Sequence, residues 1–511
     1  MTEYLSPGVY VEEKSSGAKP IEGVGTSTGA FVGIAERGPI GEAKQIANWT
    51  QFINTFGGYI ANGYLAYSVY QFFSEGGTRC FVVRTCHYTD ITAPTTKTAL
   101  ASAGTMNDGD ATPNPTLRIT AVSEGTWGNK ISVVATTALD TKLTDGFKLV
   151  VKYNDNEIES YDNLTIATIE DSINDISAYI KVEKDSWGDP LVTGSKKSPK
   201  KDTPLALAGG NDGLTSIAAT DFEGDGKALN GLHAFDVVDD INIVVMPDMS
   251  GNRDAILKGL AYCQNRKDCF FIADPPISLD PTAVKAFKEG TGTYTGNAFN
   301  SSFGALYYPW VIVSDPLNPK QKKYVPPSGA IAGTYAHTDS VRGVHKAPAG
   351  ISEGYLDSVS GIERIITKSE HDGLNPIGIN VIRSFPSSGI VVWGARTLTA
   401  DPEWKYINIR RLFLFLEESI DKGTQWVVFE PNSPALWGSV IRNITAFLLR
   451  VWRDGALFGS TPEEAFYVKV DAENNPPEVR DAGQLIIEVG VAPVKPAEFV
   501  IIRIQQKTLS K

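Results

Sequence analysis

Asp240-Ile-Asn-Ile-Val-Val-Met246 is a short apolar run, broken only at Asn242, and it is followed by a helical pattern over 253–266 and a second apolar run over 269–273. Runs of this length that are apolar on both faces read as strands buried on both sides, and a helix between two of them implies a parallel sheet. Upstream, strands at 30–35 and 79–84 alternate with helices at 48–56 and 65–75. Downstream, the apolar stretch 306–313 and the glycine-rich helix start Pro326-Pro-Ser-Gly-Ala-Ile-Ala-Gly333 continue the pattern. The segments 30–84 and 210–375 therefore read as one α/β sheet domain that is interrupted in sequence.

The interruption has its own character. From 89 to 116 the chain turns to Thr, Ala, Ser, Asn and Pro and reads as a linker or exposed loop. Strands follow at 117–122, 130–135 and 147–153. A helix is expected where Ile169, Ile173, Ile176 and Ile180 fall at helical spacing. The lysine-rich loop Ser195-Lys-Lys-Ser-Pro-Lys-Lys201 closes the insertion as a solvated charge run.

From Pro376 onward a final α/β domain is expected. Its first helix gathers Ile409, Leu412, Phe413, Leu416 and Ile420 on one face and stops at Gly423. Trp426-Val-Val-Phe429 reads as the next strand. A second helix opens with Asn432 or Ser433 as cap and Pro434 in the first turn. It buries Val440, Ile444, Phe447, Leu448 and Val451 and turns a stripe of Arg442, Arg450 and Arg453 the other way, either to an acidic partner or to solvent.

Both ends of the chain are written as strands with no hairpin partner: Leu5-Ser-Pro-Gly-Val-Tyr-Val-Glu-Glu13 and Glu498-Phe-Val-Ile-Ile-Arg-Ile504. A terminal strand of this kind must pair with something distant. Either the two ends pair inside one molecule, or Val9, Tyr10 and Val11 at one end and Phe499, Val500, Ile501 and Ile502 at the other add to neighbouring copies.

The 511 residues, 42% hydrophobic and 21% charged, are those of a globular protein of several domains. A net charge of −12 argues against a nucleic-acid surface over much of the molecule. No apolar run approaches the ~20 residues of a membrane span and no leader pattern opens the chain, which predicts synthesis in the cytosol and no membrane insertion. Cys80, Cys86, Cys263 and Cys269 are spaced as no common zinc site is, and read as buried free thiols. No metal, cofactor or catalytic constellation is expected. Ser328 at a helix start with His337 nearby gives a hydrolase only as an outlying alternative, because serines at helix starts are usually caps.

Motifs along nearly the whole chain resemble the contractile tail sheath family. They include Pro7-Gly-Val-Tyr-Val-Glu-Glu13, Ala30-Phe-Val-Gly-Ile-Ala-Glu-Arg-Gly-Pro39, Trp127-Gly-Asn129, Gly209-Gly-Asn-Asp-Gly213, Tyr308-Pro-Trp310 and the 326–333 stretch. Lys346-Ala-Pro348, Trp393-Gly-Ala-Arg-Thr397, Phe429-Glu-Pro-Asn432, Asp454-Gly-Ala-Leu457 and Pro496-Ala-Glu-Phe499 continue in family order. His345 and Gly350 stand where the family usually has Trp and Asn.

The resemblance implies an α/β multidomain fold. An arm and linker at 1–28 would lead to a subtilisin-like parallel-sheet domain without a catalytic site, built from 29–90 and 208–375. The insertion at 91–207 would be a β-rich outer domain, 376–496 an α+β inner domain, and 497–511 a second arm, with the terminal strands exchanged between copies. The function it implies is a non-enzymatic sheath subunit, assembled in the bacterial cytoplasm into a helical homo-oligomer around a tail tube, with baseplate and terminator or cap proteins as further partners. Arg442, Arg450 and Arg453 would face the tube. A few-copy terminator or baseplate-proximal homologue is the alternative.

Overall fold

The computed structural model describes residues 20–184 and 194–503. Compact contacts divide the chain into two units, a large one of Thr26–Val341 and Ala347–Ile407, and a small one containing 20–25, Arg342–Lys346 and 408–503.

The large unit is organised on one eight-stranded sheet. Strands β1 (Gly29–Gly33), β2 (Lys44–Ile46) and β3 (Cys80–Arg84) precede the insertion. β1 pairs in parallel with β3, Gly29 opposite Cys80. The helix Trp49–Phe56 between them starts where predicted, with the Asn48 side chain accepting from Gln51 N at 2.9 Å.

The insertion contributes β4 (Ala103–Asn107), β5 (Pro115–Ala121), β6 (Ile131–Thr137), β7 (Phe147–Tyr153), β8 (Asn156–Leu164), β9 (Ile180–Glu183) and β10 (Leu205–Ala206). They form two sheets, β10-β6-β7-β8 and β4-β5-β9, that share one apolar core around Trp127, Ile131, Phe147 and Leu149. Two expectations fail here. Residues 103–107, inside the expected linker, are a strand paired with β5, because a partner strand supplies what weak local propensity does not. The isoleucine-spaced helix ends at Ile173, and Ile180 opens β9. Asp175 takes φ 68°, and the Asn174 side chain bonds both Val182 N (2.8 Å) and Val182 O (2.9 Å), so the chain reverses and leaves Ile176 exposed.

The main sheet then resumes with β11 (Ile243–Val245), β12 (Phe270–Ala273) and β13 (Gly304–Tyr308). β11 lies on the free side of β1, Gly29 opposite Ile243, so strands from before and after the insertion make one sheet. The apolar stretch 306–313 divides at Pro309 into β13 and β14 (Val311–Ser314), which joins β15 (Lys322–Val325) and β16 (Gly361–Ile362) in a small separate sheet. β17 (Ile379–Phe385) and β18 (Gly389–Val392) complete the order β18-β17-β13-β12-β11-β1-β3-β2. Its six inner strands are parallel, and the two edge strands are antiparallel. The expected domain boundary at 376 is therefore displaced: 376–407 belong to the large unit, because Ile379 pairs with Leu306 of β13.

The helix Ser328–Arg342 is buried along most of its length. Gly329 and Gly333, one turn apart, let it approach the helix Leu65–Ser74. A Cβ at Gly329 would strike the main chain of Ser68, and one at Gly333 would lie 2.6 Å from Glu75 Cβ.

In the small unit the helices Ile407–Thr424 and Pro434–Arg453 pack through Leu412, Leu416, Val440, Ile444, Phe447, Leu448 and Val451. Each such side chain contributes roughly 1.5–3 kcal/mol on burial. β19 (Phe466–Lys469) and β20 (Glu488–Val491) form an antiparallel pair. The strand expected at 426–429 is absent: a short 3-10 turn, Gln425–Val427, follows the first helix and Phe429 turns at φ 68°.

Candidate assembly surface

The small unit is where the described chain begins and where it ends. At the beginning, Ile21 is fully buried in its core. Val24 N donates to Ser419 Oγ at 3.1 Å, and the Arg450 guanidinium donates to the Ile21 carbonyl. Gly423 is the residue that admits Ile21, since a Cβ there would lie 2.6 Å from its side chain. Residues 20–25 are thus a strap bound to both long helices. The predicted first arm, Val9, Tyr10 and Val11, lies outside the described residues.

At the other end the β19–β20 pair is prolonged by Phe458 N donating to Ala492 O at 2.7 Å and Val494 N to Ala456 O at 3.1 Å. Beyond Val494 the chain leaves this support. Phe499, Val500, Ile501 and Ile502 are 70, 79, 78 and 78% exposed, and none of the strand pairings among the described residues includes them. Four consecutive apolar residues exposed on both faces of the chain make an uncovered apolar run of the kind that marks an interaction surface.

The arginine stripe divides. Arg442 is exposed and donates to Ser439 Oγ, three residues back on its own helix, at 2.9 Å. Arg453 is exposed at the helix end, where a cation complements the helix dipole. Arg450, engaged with Ile21, holds the strap. Sequence reasoning missed that bond, because a helical wheel shows direction but not a distant segment. It also missed Phe429 and Val428, both exposed, by reading apolar β-formers as a buried strand.

The hydrolase alternative meets geometry. Ser328 is completely buried, and its N–H donates to Asp274 Oδ1 at 3.0 Å. Burial pushes the Asp274 carboxyl up to about 7, partly offset by the Ser328 hydroxyl and N–H and the Ser250 hydroxyl. Asp248, at the end of the neighbouring strand β11, is likewise raised by burial to about 6, against N–H donation from Ile34, Tyr64 and Leu65. His337 is exposed and nine residues further along the same helix, roughly 13 Å along its axis, beyond reach of Ser328. This serine is a helix-start residue anchored to a buried carboxyl. Among the described residues no group of three or more His, Cys, Asp or Glu is placed to hold a metal ion, and no helix is long and apolar enough to cross a membrane. All four cysteines are buried free thiols.

The molecule is a multidomain α/β protein whose distinctive surface is the exposed apolar run 499–502. Residues 224–398 match the family model of the phage tail sheath protein central domain, and 399–507 that of the phage tail sheath C-terminal domain. Together these reach over more than half of the chain, which belongs to the phage tail sheath family. Among curated proteins it is similar to the tail sheath protein of Vibrio phage KVP40, 28% identical over 252 residues that cover 46% of this chain and 36% of that protein. The tail sheath protein of Enterobacteria phage T4 is 27% identical over 248 residues, covering 46% and 37%. The match thus spans little more than a third of these relatives' own length. Among solved structures, the sheath of an extracellular contractile injection system in the contracted state superposes with TM-score 0.59 at 22% identity, covering 99% of both chains. A sheath tail protein from Desulfitobacterium hafniense gives 0.61 at 13% identity, covering 91% and 94%. These show a shared fold over 91–99% of the chain.

Proposed function

We propose that this chain is the structural subunit of a contractile sheath, which polymerises as a helical cylinder around a tail tube and contracts to drive the tube through a target envelope. The observation that carries this reading is the exposed apolar run 499–502, which leaves the same unit to which the strap 20–25 is bound. A strand in that condition gains its main-chain hydrogen bonds and buries its side chains by adding to another copy. Residues 1–15 and 497–511 act as the two exchanged arms, through Val9, Tyr10 and Val11 and through Phe499, Val500, Ile501 and Ile502.

The large unit serves as a subtilisin-like body without catalysis, with the insertion on its outside, and Arg442, Arg450 and Arg453 contact the tube. Baseplate and terminator or cap proteins bound the cylinder, which assembles in the bacterial cytoplasm. Relatives named for a helical sheath in its contracted state support the assembly part of this reading. Contraction draws its work from the free-energy difference between two packings of the same folded units, a few kcal/mol per subunit summed over the lattice.

Negative-stain electron microscopy of the purified chain tests the proposal. Hollow striated cylinders are expected, formed by the chain alone or after adding the tube protein. Dispersed particles under both conditions would remove the sheath reading.

A further inference from the structure

Phe429 is held in a way from which the isolated chain gains nothing. Its φ of 68° lies in the left-handed region, where a side chain crowds the backbone and where Gly or Asn is the usual occupant. Its ring is also fully exposed, next to the exposed Val428. A bulky aromatic in a strained and solvent-facing position is a sign of use elsewhere.

The turn that carries it is firmly placed. Asn432 Nδ2 donates to Gln484 O at 2.8 Å, and Trp437 Nε1 donates to Asn432 Oδ1 at 2.7 Å. Two residues beyond Gln484 is Ile486, also exposed, with its main chain pinned on both sides by Asn475 at 2.7 and 2.9 Å. β20 begins at Glu488. The Phe429 turn therefore stands beside the segment that leads into the small unit's strand pair.

We propose that Phe429 is the anchor on which residues 499–503 of a second copy seat. Phe429 and the 499–502 run are both exposed in one chain, so they do not cover each other within a molecule. Their charges are complementary: the exposed Glu430 follows Phe429, and the exposed Arg503 follows Ile502. An apolar knob with an acidic neighbour fits an apolar strand that ends in a base. A buried phenyl ring removes about 150–250 Å² from water, and aromatic anchors of this kind carry a large share of interface energy. The contact deepens the proposed self-assembly and rests on it.

Two chains that each gain one exposed cysteine beside the four buried thiols, Phe429→Cys and Ile501→Cys, test the contact when mixed, assembled and oxidised with diamide. A covalent dimer is expected in the mixture and in neither chain alone. Phe429→Gly supplies a second readout. Relief of the left-handed strain raises the melting temperature of the dispersed chain, while loss of the anchor raises the concentration needed for assembly at least tenfold. If the wild-type chain never assembles, the sheath reading itself fails. If it assembles, but Phe429→Gly does so at the same concentration and the mixed cysteines do not cross-link, the Phe429 contact alone is overturned. Cross-linking of Phe429→Cys to the tube protein and not to Ile501→Cys would overturn it too.

Discussion

Strand β1 of the large unit, Gly-Ala-Phe-Val-Gly, and the run Phe499-Val-Ile-Ile502 of the small unit have similar apolar character, yet their surroundings are opposite. Every residue of β1 is buried, with β3 on one side and β11 on the other. The four residues of the terminal run are exposed along their whole length. Hydrophobicity gives a segment a reason to be covered but does not say by what. The large unit covers its strands with its own chain and closes its sheet with antiparallel edge strands. The small unit leaves its apolar run 499–502 uncovered, and on the reading proposed above that difference separates a body from a connector.

Deletion of 497–511 attacks the comparison most directly. It is expected to abolish cylinder formation while leaving a folded chain whose melting temperature is unchanged within a few degrees, as sedimentation and calorimetry would reveal. Deletion of 1–15 is expected to do the same. Cylinders of normal yield from either variant would mean that the deleted segment is not a connector.

Gly329→Val probes the closed unit. Its side chain would meet the main chain of Ser68, which cannot move aside cheaply, and a loss of about 3 kcal/mol is expected in denaturant unfolding. A loss below about 1 kcal/mol would show that the two helices are free to part.

The buried carboxyls sharpen the comparison through pH. Asp274 and Asp248 have folded-state values raised above the ordinary carboxylate range, to about 7 and about 6. Between about pH 4 and those values the folded chain binds the proton more tightly than the unfolded chain. Their contribution is thus full at low pH and is lost as pH rises toward 7. Asp274→Asn is expected to stabilise the chain at pH 8 by on the order of 2 kcal/mol and to do nothing at pH 4. Equal effects at both pH values would contradict the assignment.

The smallest effects on folding belong to the arginines. Arg442→Glu and Arg453→Glu should change stability by less than about 0.5 kcal/mol, as exposed sites do, while weakening co-sedimentation with the tube. Arg450→Ala should cost about 1–2 kcal/mol by releasing the Ile21 carbonyl. A destabilised Arg442→Glu, or an Arg450→Ala chain as stable as wild type, would reverse these roles.

The parallel sheet was legible because its strands are unbroken apolar runs and the helices between them carry clear start signals, such as Asn48 at one helix and Asn252 accepting from Ala255 N at another. The long helix from Pro434 was legible for the same reason. Strand β4 was not, because Ala, Gly and Thr have little local preference and its partner β5 decides. The isoleucine spacing from 169 to 180 misled because Asn174 and Asp175 reverse the chain between two buried residues. The stretch 426–429 misled more instructively. Its apolar residues read as a strand of the core, but a sequence pattern does not distinguish burial inside one chain from burial against another. Val428 and Phe429 are exposed where a core strand would be covered. The apolar run at 499–502 carries the same ambiguity, since its pattern fits pairing inside one molecule as well as pairing with another copy.

What residues 499–502 pair with decides whether the chain is a sheath subunit joined by its arms. A cryo-electron microscopy map of the assembled chain, at a resolution that traces the main chain, measures this directly. The segment is expected at strand-pairing distance, about 4.8 Å, from a strand in the small unit of a neighbouring copy. A map in which 499–502 folds back onto its own chain, with the copies held together elsewhere, would contradict it.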